Sequence, residues 1–563
     1  MKQKNKLILH DTSFVDLMSR RIFKVLIVAN PYDAFMLEDD GRIDEKIFDE
    51  YAKLGLRYPP RFFQAASEDE ARDLMQRQKF ELVICMPGTE IRKGTTDSND
   101  VFDIARKIKT FSPEIPIVVL TPFSHGITKR MQKEDLSIFE YVFCWLGNTD
   151  LLISIIKLIE DKMNLKHDIE TAGVQMIMLV EDSIRFYSSI LPNLYKFVLQ
   201  QSHSFASEAL NSQSEMLRMR GRPKIVLARN YEEAWLLYQQ FKDNTLGVIS
   251  DCKFPLTDNK KKLRDKSLSL SQTKDEQAGI KLLTAIRNED EFVPLILESS
   301  DSENAALAKL CNASFIDKNS KKLDIDLRRK IRDHFGFGDF IFRNPETMQE
   351  VARIKDLKDL HDNIFTLPRE TLLYHLQRNN VSRWLCSRAL FPISEFLKKI
   401  TWHSLQDVDQ HRQIIYDAIV SYRRMKNRGV VATFKRDRFD RFSNFARIGD
   451  GSLGGKGRGI AFLDHIISRH TDLNEFDNAE VMIPKTVVLC TDIFDEFMES
   501  NDLYQIALSD MSDEDIFNHF LQASLPPRLR EDLLAFADVV RGPIAIRSSS
   551  LLEDAHYQPF AGV

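Results

Sequence analysis

The chain has 563 residues, 43% hydrophobic and 29% charged, which is an ordinary globular composition and, by usual domain sizes, length for about three to five domains. A net charge of −5 leaves no basic excess, which argues against nucleic acid as a partner. No apolar run approaches the roughly 18 residues of a membrane span, no signal peptide follows the basic first six residues, and the six cysteines form no CxxC pair, so a cytoplasmic chain without structural zinc or disulfides is expected.

From Phe23 to Met163, short apolar runs alternate with helical periodicity. Lys24–Ala29, Phe80–Cys85 and Ile115–Leu120 are buried-strand candidates, with amphipathic helices expected at Glu68–Arg77 and Val101–Thr110. The order then recurs. Gln175–Val180, Lys224–Ala228, Leu246–Ser250, Val293–Leu297 and Ala313–Ile316 are expected strands, with helices at Tyr231–Phe241 and Gly279–Asn288. This alternation predicts two parallel sheets covered by helices, one an internal duplicate of the other. The second copy carries two polar insertions, between Leu199 and Arg222 and over Leu256–Gln277; both are expected to be surface excursions, the second disordered. After Arg343 and Pro345 the strand pattern stops, Glu346–Ile400 reads as helical, and a long polar helix is expected over about Asp407–Lys426. Strands return at Met482–Leu489 and Pro543–Arg547, and Phe560–Val563 reads as a chain that stops inside a domain.

In the second copy, Glu181 and Asp182 follow the first strand, Asp251 ends the third, Ser299 follows the fourth and Lys318 the fifth. Those strand ends are where open α/β sheets bind ligands. Glu181, Asp182 and Asp251 together suit Mg²⁺, a hard cation that takes oxygen ligands. Asp251 can then attack a phosphoryl donor to give an acyl phosphate, while Lys318 supplies charge and Ser299 a hydroxyl to the transferred oxygens. Single acidic residues at strand ends are commonplace; five groups in this order are not.

These residues resemble those of bacterial response-regulator receiver domains, over most of Ala172–Gly338. The resemblance implies Asp251 as phosphoacceptor, Glu181 and Asp182 as Mg²⁺ ligands together with the Lys253 carbonyl, and Phe315 as the switching aromatic. It also implies a histidine kinase or small phosphodonor as partner. The first copy has Ala29 and Asn30 in place of the acidic pair, Met86 in place of the acceptor and Trp145 near the lysine position; only Thr121 survives. It reads as a degenerate receiver kept for packing or partner contact.

The densest glycine cluster runs from Gly449 to Gly459 and contains Lys456. Glycines let backbone N–H groups approach a phosphate, and the lysine adds charge. This is not a Walker A motif, because Asp450 stands where its first glycine belongs and Gly457 follows the lysine. Further on come Ile483–Thr491, Pro543–Arg547 with three serines after it, Glu553 and Asp554, and Phe560–Gly562. Together these resemble the start of the nucleotide-binding domain of phosphoenolpyruvate synthase and pyruvate phosphate dikinase. The resemblance implies an ATP-grasp-like fold, ATP and Mg²⁺ as cofactors, Lys456 and Arg547 on the ATP phosphates, and pyruvate or phosphoenolpyruvate chemistry in a complete protein. The family's later nucleotide and Mg²⁺ ligands, its phosphohistidine domain and its pyruvate-binding barrel are not found here. A fragment of a longer protein is therefore expected.

The expected architecture is α/β: a degenerate receiver over 1–170, a receiver over 171–340, both flavodoxin-like and doubly wound, a helical connector over 341–430 and a partial ATP-binding domain over 431–563. Within the connector, His375 reads as a packing histidine between apolar neighbours. The expected function is the regulatory and ATP-binding part of a dikinase-like phosphotransferase. The alternative is a two-component signalling module whose nucleotide domain is only a sensor.

Overall fold

The computed structural model describes residues 9, 11–37, 43–87, 101–122, 138–145, 147–257, 274–402, 407–439, 441–470 and 481–548. The first unit runs β1 (Lys24–Val28), α1 (Pro31–Leu37), α2 (Ile43–Lys53), β2 (Arg61–Ala65), α3 (Glu68–Arg77), β3 (Leu82–Cys85), α4 (Val101–Phe111), β4 (Ile117–Pro122), β5 (Tyr141–Trp145) and α5 (Asp150–Ala172). Its five parallel strands lie in the order β2-β1-β3-β4-β5.

The second unit runs β6 (Met176–Val180), α6 (Ile184–Ala206), α7 (Ser212–Arg220), β7 (Lys224–Ala228), α8 (Tyr231–Phe241), β8 (Thr245–Asp251), α9 (Ala278–Glu289), β9 (Leu295–Ser299), α10 (Asn304–Leu310), β10 (Ser314–Asp317) and α11 (Leu323–His334). Its sheet order, β7-β6-β8-β9-β10, repeats that of the first, with every pairing parallel. This is a doubly wound, flavodoxin-like order, in which the strand order reverses beside the first strand. The expected helix Tyr231–Phe241 is found with those bounds because Asn230 caps it, its side chain accepting the Glu233 N–H at 2.8 Å.

The two units share a core. Helix α5 is buried on nearly all sides over Leu151–Asp161, and one apolar cluster joins Val25 and Ile27 of β1 to Leu179, Leu191 and Ile249 of the second unit. Charges inside this seam are paired. Asp161 takes a bidentate contact from Arg222 (2.7 and 2.9 Å) and the Tyr195 hydroxyl at 2.9 Å, while Asp168 meets the fully buried Lys224 at 2.9 Å.

Leu199–Arg222 is a correction to the sequence reading. Instead of a surface excursion, it is the end of α6 plus helix α7, begun by Asn211 accepting the Ser214 N–H at 2.9 Å. Polar composition suggested a loop, but Phe205 and Ala206 are buried against the rest of the chain. Most of the second insertion, residues 258–273, lies outside the described residues.

A second correction follows α11. The strand pattern does not stop, because β11 (Phe340–Arg343) and β12 (Glu350–Ile354) form an antiparallel hairpin. Its turn holds Met348 at φ +57, a left-handed position taken without the expected glycine. Helices α12 (Leu357–Asn363), α13 (Arg369–Gln377), α14 (Asn380–Ser387), α15 (Phe391–Lys398) and α16 (Val408–Asn427) complete the connector around Trp384, Leu385 and Ile393. The last unit contains β13 (Ala432–Thr433), β14 (Phe445–Ile448), α17 (Gly454–Arg469), β15 (Thr486–Leu489), α18 (Thr491–Ser500), α19 (Leu503–Ala507), α20 (Asp513–Gln522) and α21 (Pro527–Val540). Its three strands are parallel in the order β13-β14-β15. Pro543–Arg547, expected as a strand, is exposed and pairs with nothing among the described residues. Apolar alternation makes a strand only where an edge is available to pair with it.

Candidate functional site

Parallel register fixes the acidic site. Val180 pairs with Ser250, and Asp251 pairs with Glu298, so Glu181, Asp251 and Glu298 fall in one row across β6, β8 and β9. Alternation along a strand puts all three on the face that carries Leu179, Ile249 and Ile296. Carboxylate oxygens of Glu181, Asp182 and Asp251 lie within 4.8 Å of one another, the only such cluster of potential metal ligands among the described residues. Lys318, just past β10, closes the row. Its ammonium is 2.7 Å from Asp251 Oδ1, also pairs with Glu181, and sits 4.5 Å from the centroid of the Phe186 ring.

Burial decides the electrostatics. It pushes the Glu181 carboxyl up to about 7 against the pull of Lys318, and it raises Asp182 despite the 2.6 Å ion pair with Lys274. Burial works to lower Lys318, but the charges of Glu181 and Asp251 outweigh it and hold its pKa above the ordinary lysine value. Too many carboxyls therefore share too few cations. Asp182 Oδ1 is buried without a hydrogen-bond partner. An all-oxygen set with excess negative charge and an orphaned carboxylate oxygen fits Mg²⁺.

Ser299 is placed with its acceptor capacity already in use. Its Oγ accepts from the Asp301 N–H at 3.1 Å and from Asn304 Nδ2 at 2.9 Å, so its own hydrogen is what remains to donate. Lys253 lies in the loop after β8, where its side chain pairs with Glu276. Phe315 is half-buried on β10, packed against the opposite face of the sheet.

Glu298 has no role in the sequence reading. It is fully buried, neither carboxyl oxygen has a hydrogen-bond partner, and burial pushes its pKa up to about 8, with Glu181 and Asp251 adding to the rise and Lys318 opposing it. An acidic residue directly after the apolar run Leu295–Leu297, at the position in line with Asp251, is the available clue.

Among its described residues, the first unit offers no equivalent. Asn30 caps α1 and donates to Asp33 at 2.6 Å, Met86 is buried at the end of β3, and Trp145 packs half-buried at the end of β5. His375 is a packing residue: its Nε2 accepts the Arg343 N–H at 2.9 Å, Asn380 sits 3.0 Å from Nδ1, and burial lowers its pKa to about 4.

The glycine-rich loop leaves β14 and enters α17. Asp492, at the start of α18, accepts the N–H groups of Asp450 (2.8 Å) and Gly451 (2.9 Å), and Thr491 Oγ1 accepts from Ser452 at 3.0 Å. A Cβ on Gly449 or Gly451 would come within 2.5 Å of these side chains. The first glycines thus admit Asp492 and Thr491, whereas the sequence reading had them approaching a phosphate. Gly454, Gly455, Lys456 and Gly457 form the first turn of α17, where the helix dipole is positive, and Lys456 Nζ is shielded from solvent. Arg547 is exposed. Glu553, Asp554 and Phe560–Gly562 lie outside the described residues.

The fold and sites thus define a chain of two doubly wound units, one with an acidic oxygen cluster, followed by a strand–glycine loop–helix unit. Residues 451–563 match the family described as pyruvate phosphate dikinase, AMP/ATP-binding domain, which supports an ATP-binding, dikinase-like part in this segment. No curated protein matches the chain. Among solved structures, NtrX from Brucella abortus in complex with ADP is 10% identical, with 70% of this chain and 80% of that one covered, at a TM-score of 0.21. NtrX crystallised without a named nucleotide gives 12%, 70%, 100% and 0.20, and an extracellular ligand-binding receptor from Verminephrobacter eiseniae gives 11%, 71%, 89% and 0.16. At such TM-scores these likenesses carry no argument.

Proposed function

We propose that the second unit is a phosphoaspartate receiver that governs the ATP-binding part of a phosphoenolpyruvate synthase/dikinase-like phosphotransferase. The observation that carries this reading is the convergence of Glu181, Asp182 and Asp251 on one point, with Lys318 held against Asp251. Asp251 Oδ attacks phosphorus in line. The bond to the donor's leaving group breaks, and the leaving group takes the electron pair. Lys318 transfers its contact from the Asp251 carboxylate to a phosphoryl oxygen, and the Ser299 hydroxyl donates to another. Glu181, Asp182, Asp251 and the Lys253 carbonyl would hold Mg²⁺, which supplies charge neutralisation for the incoming anion. The donor is a histidine kinase or a small acyl phosphate. The match over 451–563 supports ATP as the ligand of the last unit; the phosphate contacts of this reading are Lys456 and Arg547.

The test is incubation with acetyl phosphate and Mg²⁺. The chain gains one acid-stable, base-labile phosphate, and Asp251→Asn gains none. Equal labelling of the Asp251→Asn variant, or labelling indifferent to Mg²⁺, contradicts the proposal.

A further inference from the structure

We infer that the segment Ser207–Asn211, at the far end of α6, is the surface through which the second unit acts on the nucleotide unit, and that its partner is the edge strand β13. The inference rests on the receiver reading above and names how that site is coupled to the glycine loop.

Helix α6 begins at the acidic site. Asp182 and Ser183 lead straight into it, the Ser183 N–H donates to Glu181 at 2.9 Å, and Phe186 in its first turn carries the Lys318 ammonium over its ring. Lys318 is the group that must leave its carboxylate partners for a phosphoryl oxygen, so the first turn of α6 feels the change directly. The helix then runs 23 residues, about 34 Å at 1.5 Å per residue. Phe197 and Phe205 pack it against Phe337, and Arg388 of the connector lies over Phe205 at 4.1 Å.

Its far end meets the nucleotide unit through backbone. The Thr433 N–H donates to Leu210 O at 2.7 Å, Asn211 Nδ2 donates to Val431 O at 3.1 Å, and Ser207 O accepts from Lys435 at 3.0 Å and from Arg438. Leu210 packs into the cluster of Ala432, Phe434, Ala446 and Ile448. The contact therefore adds one rung to the free edge of β13. Ala432 and Thr433 pair with Ala446 and Arg447 of β14, which ends one residue before Gly449. One strand separates the tip of the receiver from the loop.

The connector is a poorer route. Apart from Arg388 on Phe205 of α6 itself, its contacts include Lys398 on Asp243 O at 3.2 Å and Arg378 over Phe292 at 5.3 Å, on the amino edge of the second sheet and opposite the edge that bears Asp251. A phosphoryl group shifts an equilibrium only through an element that contacts it differently in two states. Among these routes, α6 has one end at the acidic site and the other on β13.

The experiment is hydrogen exchange on the full chain with and without beryllium fluoride and Mg²⁺, a stable mimic of an aspartyl phosphate. In the parent, exchange changes by several-fold in peptides covering Ser183–Phe186 and again in peptides covering Val431–Gly457. In Leu210→Ser/Asn211→Gly, whose strand Thr245–Asp251 should exchange as in the parent if the unit is intact, the first response persists and the second is lost. A response over Val431–Gly457 that survives the double substitution overturns the inference, as does a parent that responds at Ser183–Phe186 but not beyond β13. The single variant Lys435→Ala, which removes one contact outside the sheet, should retain a weakened response; complete indifference to both variants counts against the route. Absence of any response near Asp251 refutes the receiver reading itself, and the inference falls with it.

Discussion

Replacing Glu298 by Gln keeps the shape of the side chain and removes its capacity to ionise. Glu298 is fully buried with both oxygens unpartnered, and its carboxyl stays protonated until about pH 8 against an ordinary value of 4.5. Each pKa unit is worth about 1.4 kcal/mol, so ionised Glu298 costs the folded state on the order of 5 kcal/mol above pH 8. The sign follows from proton counts. Between about pH 4.5 and 8 the folded chain holds a proton that the unfolded chain has released, so the stability associated with Glu298 is full below 4.5 and lost as pH rises through 8. The advantage of Glu298→Gln should therefore be near zero at pH 4, on the order of 3 kcal/mol at pH 7, and largest at pH 9. Because a chain of several units need not unfold in one step, the free energy should be read locally. Urea titration at each pH, followed by hydrogen exchange in peptides covering β8 and β9, isolates the unit concerned. An advantage that does not grow with pH, or a Gln variant that loses stability as pH rises, would show that Glu298 is ionised and paired, and would refute the burial argument.

Met86→Asp alone should create no second labelled site with acetyl phosphate, because Ala29 and Asn30 supply no carboxylate to hold a metal; a second phosphate would show that the first unit retains a site. Asp161→Ala strands Arg222 in the seam between the units and should cost about 3–5 kcal/mol, whereas Asp161→Ala combined with Arg222→Met should recover much of it, measured by urea melts. Lys456→Ala should weaken ATP binding by about 1.5–3 kcal/mol in calorimetry, as expected for a charge-assisted contact. Unchanged affinity would place the phosphates elsewhere.

Much of the second unit was legible because each strand is an unbroken apolar run with a chemically distinct residue at its carboxyl end, as in Met176–Val180 followed by Glu181. The expected strands and helices of both units lie within a few residues of the observed ones. What escaped depended on partners distant in sequence. Leu199–Arg222 is polar enough to read as loop, yet it is helical because Phe205 and Leu210 find apolar cover from other units. The hairpin at Phe340–Ile354 has short strands and a turn built on Met348 instead of glycine. Glycines in the loop after β14 were visible, but their role was not, because Asp492 lies 41 residues beyond Gly451 in the chain. The relation of the connector to the sheet was likewise invisible: periodicity finds helices but not the edge against which they pack.

The destination of the phosphoryl group is the most direct test of a receiver site at Asp251. Reduction of the acetyl phosphate-treated chain with borohydride converts an aspartyl phosphate to homoserine, and peptide mass spectrometry then locates it. The prediction is homoserine at position 251 only, formed in Mg²⁺ and absent when the metal is chelated. Homoserine at Asp182 or Asp317, or phosphate found instead on His375, would contradict it.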